Sequence, residues 1–319
     1  MRTTDLEVAE IFCGAGGMSW GLNEAGINPR LGIDLNPHCI STYHRNFPEA
    51  ISYVADVRKL RSTDILQHFE SSDRLVFAGC PPCQLFSQLH RSGESESEEF
   101  DAYLRLLWSI SPAFIVFENV PRIMKWEHLW NSFCTRLRRR GYSIWFSKVC
   151  ASQFGVPQKR VRLVLIASRV ADVTGIRTPS IEKVLTVRDA ISCYPDVDDS
   201  IPNHRTMTLS QSNQKRIERT GGNGGLSKDV ASSFGDSYGR MRWDFPAPTI
   251  TTKCISFSNG RFGHPVFNRA ITVREAAVLQ GFPTSFVFNG PLKESARQVG
   301  NAAPPPIAKW IGEQVLQLV

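Results

Sequence analysis

Short apolar runs alternate with helical patterns through the first half of this chain, and nothing else in it restricts the fold as much. Residues 8–12, 31–34, 53–57, 75–78 and 114–117 read as strands, with helical patterns at 18–26, from 35 through Tyr43, at 101–110 and at 127–140. A further apolar run covers 162–167. Strands joined by helices call for an α/β fold with a mostly parallel sheet. After about residue 171 the texture changes. Residues 176–270 are rich in Gly, Pro, Ser and Asn, with short β-like runs and few helical periods. Within them, the glycines around Asn223 suit either a flexible connector or a loop that contacts phosphate. Regular pattern returns with an amphipathic helix at 272–280 ended by Gly281, and with 304–318, where three prolines open a last helix.

Bulk properties exclude several classes. With 319 residues the chain can bury a large core, and 42% hydrophobic with 21% charged residues is ordinary for a globular protein. No apolar run approaches the ~20 residues of a membrane span. The N-terminus passes at once into a strand, so a signal peptide is not expected. Eight scattered cysteines fit a reducing cytoplasm better than a disulfide framework. The net charge of +7 points weakly to an anionic partner.

The strands end in chemistry. Gly79-Cys80-Pro81-Pro82-Cys83-Gln84 closes the 75–78 run and sets Cys83 on a rigid turn at the sheet edge, where open α/β sheets bind ligands. Glu118-Asn119-Val120 ends the 114–117 run, and Gln158, Arg160 and Arg162 lead into the 162–167 run. A thiol, a carboxylate and an arginine pair therefore gather at strand boundaries, as a nucleophile with helpers would require. A buried apolar thiol is the ordinary alternative for a cysteine, and it is the expectation for Cys134, Cys193 and Cys254. Cys80 and Cys83 also form C-x-x-C, but a structural zinc takes four ligands and no second close Cys/His pair occurs. No metal is expected.

A glycine turn follows the first strand: Phe12-Cys13-Gly14-Ala15-Gly16-Gly17, just before a helix. Backbone can approach a ligand closely there. The spacing G-x-G-G is not the dinucleotide fingerprint. Asp34, at the end of the second run, is placed to accept ribose hydroxyls, and Asp56, at the end of the third, to meet an adenine amino group. The set suits a nucleoside cofactor that need not carry a pyrophosphate.

Taken in order, these blocks resemble the bacterial-type DNA (cytosine-5)-methyltransferases. Phe-x-Gly-x-Gly-Gly, Gly-x-Pro-Pro-Cys-Gln, Glu-Asn-Val, Gln-x-Arg-x-Arg, Arg-Glu-Ala-Ala-x-Leu-Gln-Gly-Phe-Pro and Gly-Asn-Ala-x-Pro-Pro span nearly the whole chain. The resemblance implies a Rossmann-like S-adenosylmethionine-dependent domain at 1–185 completed by 295–319, and a smaller target-recognition domain at 186–294. It implies Cys83 as the nucleophile that adds to cytosine C6, Glu118 as the donor at N3, Arg162 as the partner of O2 and Arg160 as a brace of the same site. S-adenosylmethionine would lie on Phe12, Gly14, Gly16 and Gly17, with Asp34 on the ribose, Asp56 on the adenine amino group, and Asn301 from the last block. A capping role is the alternative for Asn301. The target base would be flipped out of duplex DNA. Gln84, Ser87, Gln158, Arg240, Arg242, Lys253 and Arg261 are the candidate DNA contacts, arginine being suited to guanine or phosphate. The resemblance further implies a cytoplasmic monomer, free of membranes, that could serve beside a cognate restriction endonuclease. The family's RNA-modifying branch carries a Cys-Phe-Thr element, which is absent here. One departure stands out: residues 94–99, in the segment where the family's loop closes over DNA, are strongly acidic and are expected to face solvent.

Overall fold

The computed structural model describes residues 6–81, 98–180, 183–227 and 237–319. The chain divides into two compact units, one of residues 1–150, 161–179 and 305–319, the other of 151–160 and 180–304.

The first unit carries a seven-stranded sheet in the order β3-β2-β1-β4-β5-β7-β6. Its strands are β1 (Glu7–Ile11), β2 (Asn28–Asp34), β3 (Ile51–Val54), β4 (Leu75–Gly79), β5 (Phe114–Asn119), β6 (Ser143–Cys150) and β7 (Val161–Ser168). β1 to β5 pair in parallel, and β7 runs antiparallel to both β5 and β6. The central strands are mostly apolar because helices cover both faces of a sheet of this kind. Those helices are α1 (Gly17–Ala25), α2 (Pro37–Asn46), α3 (Ser62–Leu66), α4 (Glu98–Ile110) and α5 (Glu127–Arg139), joined later in the chain by the C-terminal helix. Phe77, Ile115, Phe117, Leu163 and Leu165 pack against Phe100, Tyr103, Leu106, Leu107 and Phe133 from α4 and α5.

The chain steps outward from β1 through β2 to β3, then crosses back to place β4 on the other side of β1. That reversal opens a crevice between the loops leaving β1 and β4, the position at which such sheets bind ligands. Both the glycine turn and the Cys80-Pro81 turn begin there.

Several sequence expectations shift. The third strand is Ile51–Val54 rather than 53–57; Val57–Lys59 is instead a single 3-10 turn capped by the Asp56 side chain. β6 escaped the sequence reading because it is an edge strand whose residues are nearly all half-buried, so no continuous apolar run marks it. Cys134 and Cys254 are buried as expected, but Cys193 is exposed.

The second unit is mostly irregular. It contains α6 (Val187–Ile191), α7 (Gln211–Arg219), α8 (Val273–Leu279) and α9 (Leu292–Asn301). α8 starts at a reciprocal cap, Thr272 with Glu275, which explains its legibility in sequence. α7 buries only Ile217, so its pattern was nearly silent. The turn around Asn223 is pinned: its N–H donates to Pro265 O (2.8 Å) and its Oδ1 accepts from Trp243 N (2.7 Å), unlike a free connector. The last helix, α10 (Pro305–Leu316), belongs to the first unit and lies on α1 so closely that a Cβ on Gly21 would fall 2.1 Å from Pro305 O.

Candidate active site

The loop after β1 is bent sharply. Phe12, Gly14 and Gly16 all have positive φ, at 60°, 53° and 91°. For Phe12 this is a strained conformation of the kind held at ligand sites. Gly16 precedes α1, and a Cβ there would come within 2.5 Å of the Phe47 ring and 2.9 Å of Tyr43, so only glycine fits. A Cβ on Gly14 would meet nothing within 4 Å. The backbone of Gly14 therefore borders open space, which suits a ligand approaching it. Its N–H donates to Asp34 Oδ2 (2.9 Å), while Asn36 N donates to Oδ1 (2.8 Å), so the Asp34 carboxylate is held in place and tied to the glycine turn.

Beneath this turn lies a group that the sequence reading missed. Glu10, within β1, is buried and accepts from Ser19 N (3.0 Å) and Ser19 Oγ (2.5 Å); Ser19 Oγ also meets Tyr43 OH at 2.8 Å. A carboxyl thus serves an otherwise orphaned N–H in the first turn of α1. Burial pushes its pKa up to about 8. An acidic residue inside an apolar strand was the available signal.

At the next crevice wall, Gly79 of β4 faces Phe117 of β5. Pro81 has no N–H for the ladder, but its carbonyl accepts from Asn119 Nδ2 (3.0 Å), and Asn119 Oδ1 accepts from Val120 N (2.8 Å). Asn119 therefore holds the Pro81 carbonyl in place. In the β5–β7 ladder Glu118 faces Val164, and Arg162, two residues along, projects from the same face. Arg162 Nε lies 3.0 Å from Glu118 Oε1, with side-chain exposures of 13% and 6%. Such a pair keeps a cation and a carboxylate together away from bulk water, ready to donate to and accept from a planar polar ring. The Cys80 thiol is raised well above the usual thiol range by burial and then by Glu118, so it stays protonated. Among the described residues no group of three His, Cys, Asp or Glu is arranged to hold a metal.

The model of the C-5 cytosine-specific DNA methylase family matches residues 6–317. This chain belongs to that family. The methyltransferase is 34% identical to the Type II methylase M.HgiDII of Herpetosiphon aurantiacus, over 97% of this chain and 94% of that protein. It is 33% identical to the Type II methyltransferase M1.HphI of Haemophilus parahaemolyticus, over 98% and 87% of the two chains. A prophage-encoded E. coli protein, described as a DNA modification methyltransferase, superposes with a TM-score of 0.80 at 26% identity, covering 98% of this chain and 99% of its own. The methyltransferase transfers a methyl group from S-adenosylmethionine to C5 of cytosine in DNA. The open side of Gly14 and the anchored Asp34 carboxylate fit that cofactor.

The structure brings Phe12, Gly14, Gly16, Gly17 and Asp34 together at one end of the sheet, and Glu118 with Arg162 at another strand boundary. Cys83, Gln84 and Ser87 lie outside the described residues. Asp56 is less free than expected: Arg58 takes both its oxygens at 2.7–3.1 Å and lowers its pKa to about 2. Arg58 also reaches Glu98 of the acidic stretch at 3.0 Å, although the Glu98 side chain is 77% exposed.

Within the second unit, the positions of three predicted site residues are now clear, and two of them depart from expectation. Arg160, expected as a brace, is buried and donates to the carbonyls of Ile250 (2.9 Å), Gly300 (3.0 Å) and Ala302 (3.1 Å). Gln158 is also buried, donating to Leu279 O and Gln280 Oε1 and accepting from Ile250 N, so it ties loops together and is not a DNA contact. Arg240 is 3% exposed and its guanidinium is spent on backbone carbonyls, so it cannot read DNA. Arg242 and Lys253 are exposed and Arg261 is half-buried. Asn301 ends α9, exposed.

Proposed function

We propose that this methyltransferase marks cytosine at one short duplex sequence, as the modifying partner of a restriction endonuclease, using Cys83, Glu118 and Arg162 for chemistry. The observation that carries the assignment is the buried Glu118–Arg162 pair, with the next residue of β5, Asn119, bound to the carbonyl of Pro81, which stands two positions before Cys83 in the sequence. Cytosine C5 is a poor nucleophile. Addition of the Cys83 thiolate to C6 of the flipped base makes C5 an enamine carbon. Glu118 supplies a proton to N3 as charge develops on the ring, and Arg162 donates to O2. S-adenosylmethionine, when bound, supplies the electrophilic methyl group. Loss of the C5 proton to a base then lets β-elimination release Cys83.

Phe12 would lie on the adenine, Asp34 on the ribose and Gly14 beside the methionine portion, with Asn301 approaching the same cofactor. Residues 1–185 and 295–319 would serve the cofactor and chemistry, and 186–294 the target sequence, with Arg242, Lys253 and Arg261 contacting DNA beside Gln84 and Ser87. The restriction role is supported by the Type II relatives. We place the enzyme in the cytoplasm as a monomer; among the described residues no helix is long and apolar enough to cross a membrane.

The test is transfer of labelled methyl to unmethylated bacterial DNA, with total tRNA and Cys83→Ser in parallel. DNA labelling that disappears in the variant, at sites sharing one sequence, is expected. Labelling that survives Cys83→Ser would remove the nucleophile assignment, and labelling scattered over unrelated sequences would remove the target specificity.

A further inference from the structure

Arg242 is held still while its donors stay free. Its stem lies on the backbone of Gly224, where φ is 91° and a Cβ would come within 2.5 Å of Arg242 Cγ and 2.9 Å of Nε. Its guanidinium carbon stands 5.3 Å from the centre of the Phe245 ring, which belongs to a residue 51% exposed. Both walls of this seat are fixed. Asn223, beside Gly224, accepts from Trp243 N and donates to Pro265 O, and Gly225 O accepts from Arg240 N (2.9 Å). On the other side Trp243 O accepts from Arg188 N and Phe245 O from Val187 N, each at 2.9 Å. A glycine backbone and an aromatic face thus confine the guanidinium between them.

The guanidinium N–H groups of Arg242 meet no acceptor among the described residues. Nearby arginines differ: Arg188 takes Asp244 (Nε to Oδ1, 2.9 Å), and Arg240 is spent on carbonyls. A guanidinium that is already oriented loses little freedom on binding, and its plane is set beforehand. A set plane favours a planar pair of acceptors, such as guanine O6 and N7 in the major groove, over a phosphate, which can be met from many directions. The segment carrying Arg242 is also tied to the approach to β7. Ala247 N donates to Pro157 O and Lys159 N to Ala247 O, both at 2.8 Å, and Arg162 follows Lys159 by three residues, at most ~10 Å of extended chain.

We propose that Arg242 reads one guanine of the target sequence through O6 and N7, with Gly224 and Phe245 as the seat that orients its fork. This rests on residues 186–294 serving the target sequence. Phe245 is a positioning residue, acting through Arg242.

The parent enzyme's site is first mapped on unmethylated bacterial DNA, and each guanine of that site is then replaced in turn by 7-deazaguanine, which lacks N7. Parent, Arg242→Ala, Arg242→Lys and Phe245→Ala are compared for kcat/KM, salt dependence of DNA binding, S-adenosylhomocysteine binding by calorimetry, and Tm. For Arg242→Ala we expect kcat/KM to fall about 10- to 100-fold and discrimination to be lost at a single guanine, with cofactor affinity within about two-fold and Tm nearly unchanged. 7-Deazaguanine at that position should slow the parent but not Arg242→Ala. Arg242→Lys keeps the charge without the fork, so it should match Arg242→Ala, and Phe245→Ala should lose part of the same discrimination. Uniform weakening over all sequences, with a salt slope smaller by about one and recovery in Arg242→Lys, would make Arg242 a phosphate contact and overturn the guanine assignment alone. An Arg242→Ala enzyme equal to the parent in affinity and site choice overturns that assignment and the DNA contact together. Undiminished discrimination in Phe245→Ala overturns the seat. If the parent itself labels unrelated sequences, the target-domain reading fails, and the guanine assignment fails with it.

Discussion

Replacing Arg240 with alanine separates two readings of the same residue. From its place in an Arg-rich segment it looks like a DNA contact; in the fold it is a buried hub. Its Nη1 donates to the carbonyls of His264 (2.9 Å) and Phe267 (2.6 Å), Nη2 to Ile217 O (2.9 Å) and Asn268 Oδ1 (2.5 Å), and longer bonds reach Thr220 and Val266. Removing the guanidinium strands these acceptors in a dry interior, where each unsatisfied group costs about 1–3 kcal/mol. The charge itself was expensive to bury, and its pKa is lowered by that burial, so part of the loss is returned. A net destabilisation of about 3–5 kcal/mol is expected, comparable to breaking other buried ionic networks. At roughly 2–4 °C per kcal/mol for a large domain, the transition reporting on the second unit should fall by about 6–20 °C. Differential scanning calorimetry reads this directly, and salt-dependent DNA binding below the lowered transition supplies the second readout. Arg240→Ala with an unchanged Tm and a DNA-binding salt slope smaller by about one would refute the structural role and restore the phosphate contact.

Glu10→Gln should change how stability depends on pH. The carboxyl has a pKa of about 8 in the folded chain against a reference of 4.5, so the folded state holds its proton more tightly than the unfolded chain does. Its contribution is complete below pH 4.5 and is lost as pH rises to about 8, so the Tm gain of the variant over the parent should grow across that window; a constant difference would show that Glu10 is not titrating there. Gly16→Ala must take φ near 91° and push into Phe47, so we expect about 2 kcal/mol of lost stability and weaker S-adenosylhomocysteine binding. Unaltered binding by calorimetry would mean that the turn tolerates a side chain. Asn119→Ala frees Pro81, with about 1 kcal/mol lost in thermal unfolding and a larger proportional fall in turnover; equal falls in both would reduce Asn119 to a structural role.

Much of the fold was readable because a parallel sheet writes itself as short, doubly apolar runs, and β1, β2, β4 and β5 are such runs. β6 was not, since an edge strand buries less and carries Ser, Trp and Lys in turn. The glycine turn and Asp34 were legible from their place after β1 and β2, where only a ligand site explains so many unusual residues. Asn119 was quoted in a motif without a task, because its hydrogen bond to Pro81 closes only when β4 and β5 pair. The basic residues of the second unit were the hardest. Arg240 and Arg242 are two positions apart in sequence, yet one is buried and the other exposed.

By itself, then, the sequence determined the class of sheet, the order of the chemical blocks and the family, since these depend on local pattern and on residue types at fixed spacing. Only the tertiary structure decided which of the polar residues were free to act. Arg160, Gln158 and Arg240 meet acceptors or donors as distant along the chain as Ala302, Gln280 and Asn268, and Glu118 meets Arg162 across two strands. A guanidinium looks the same in sequence whether it faces DNA or backbone carbonyls; burial, which arises from contacts between distant segments, makes the distinction.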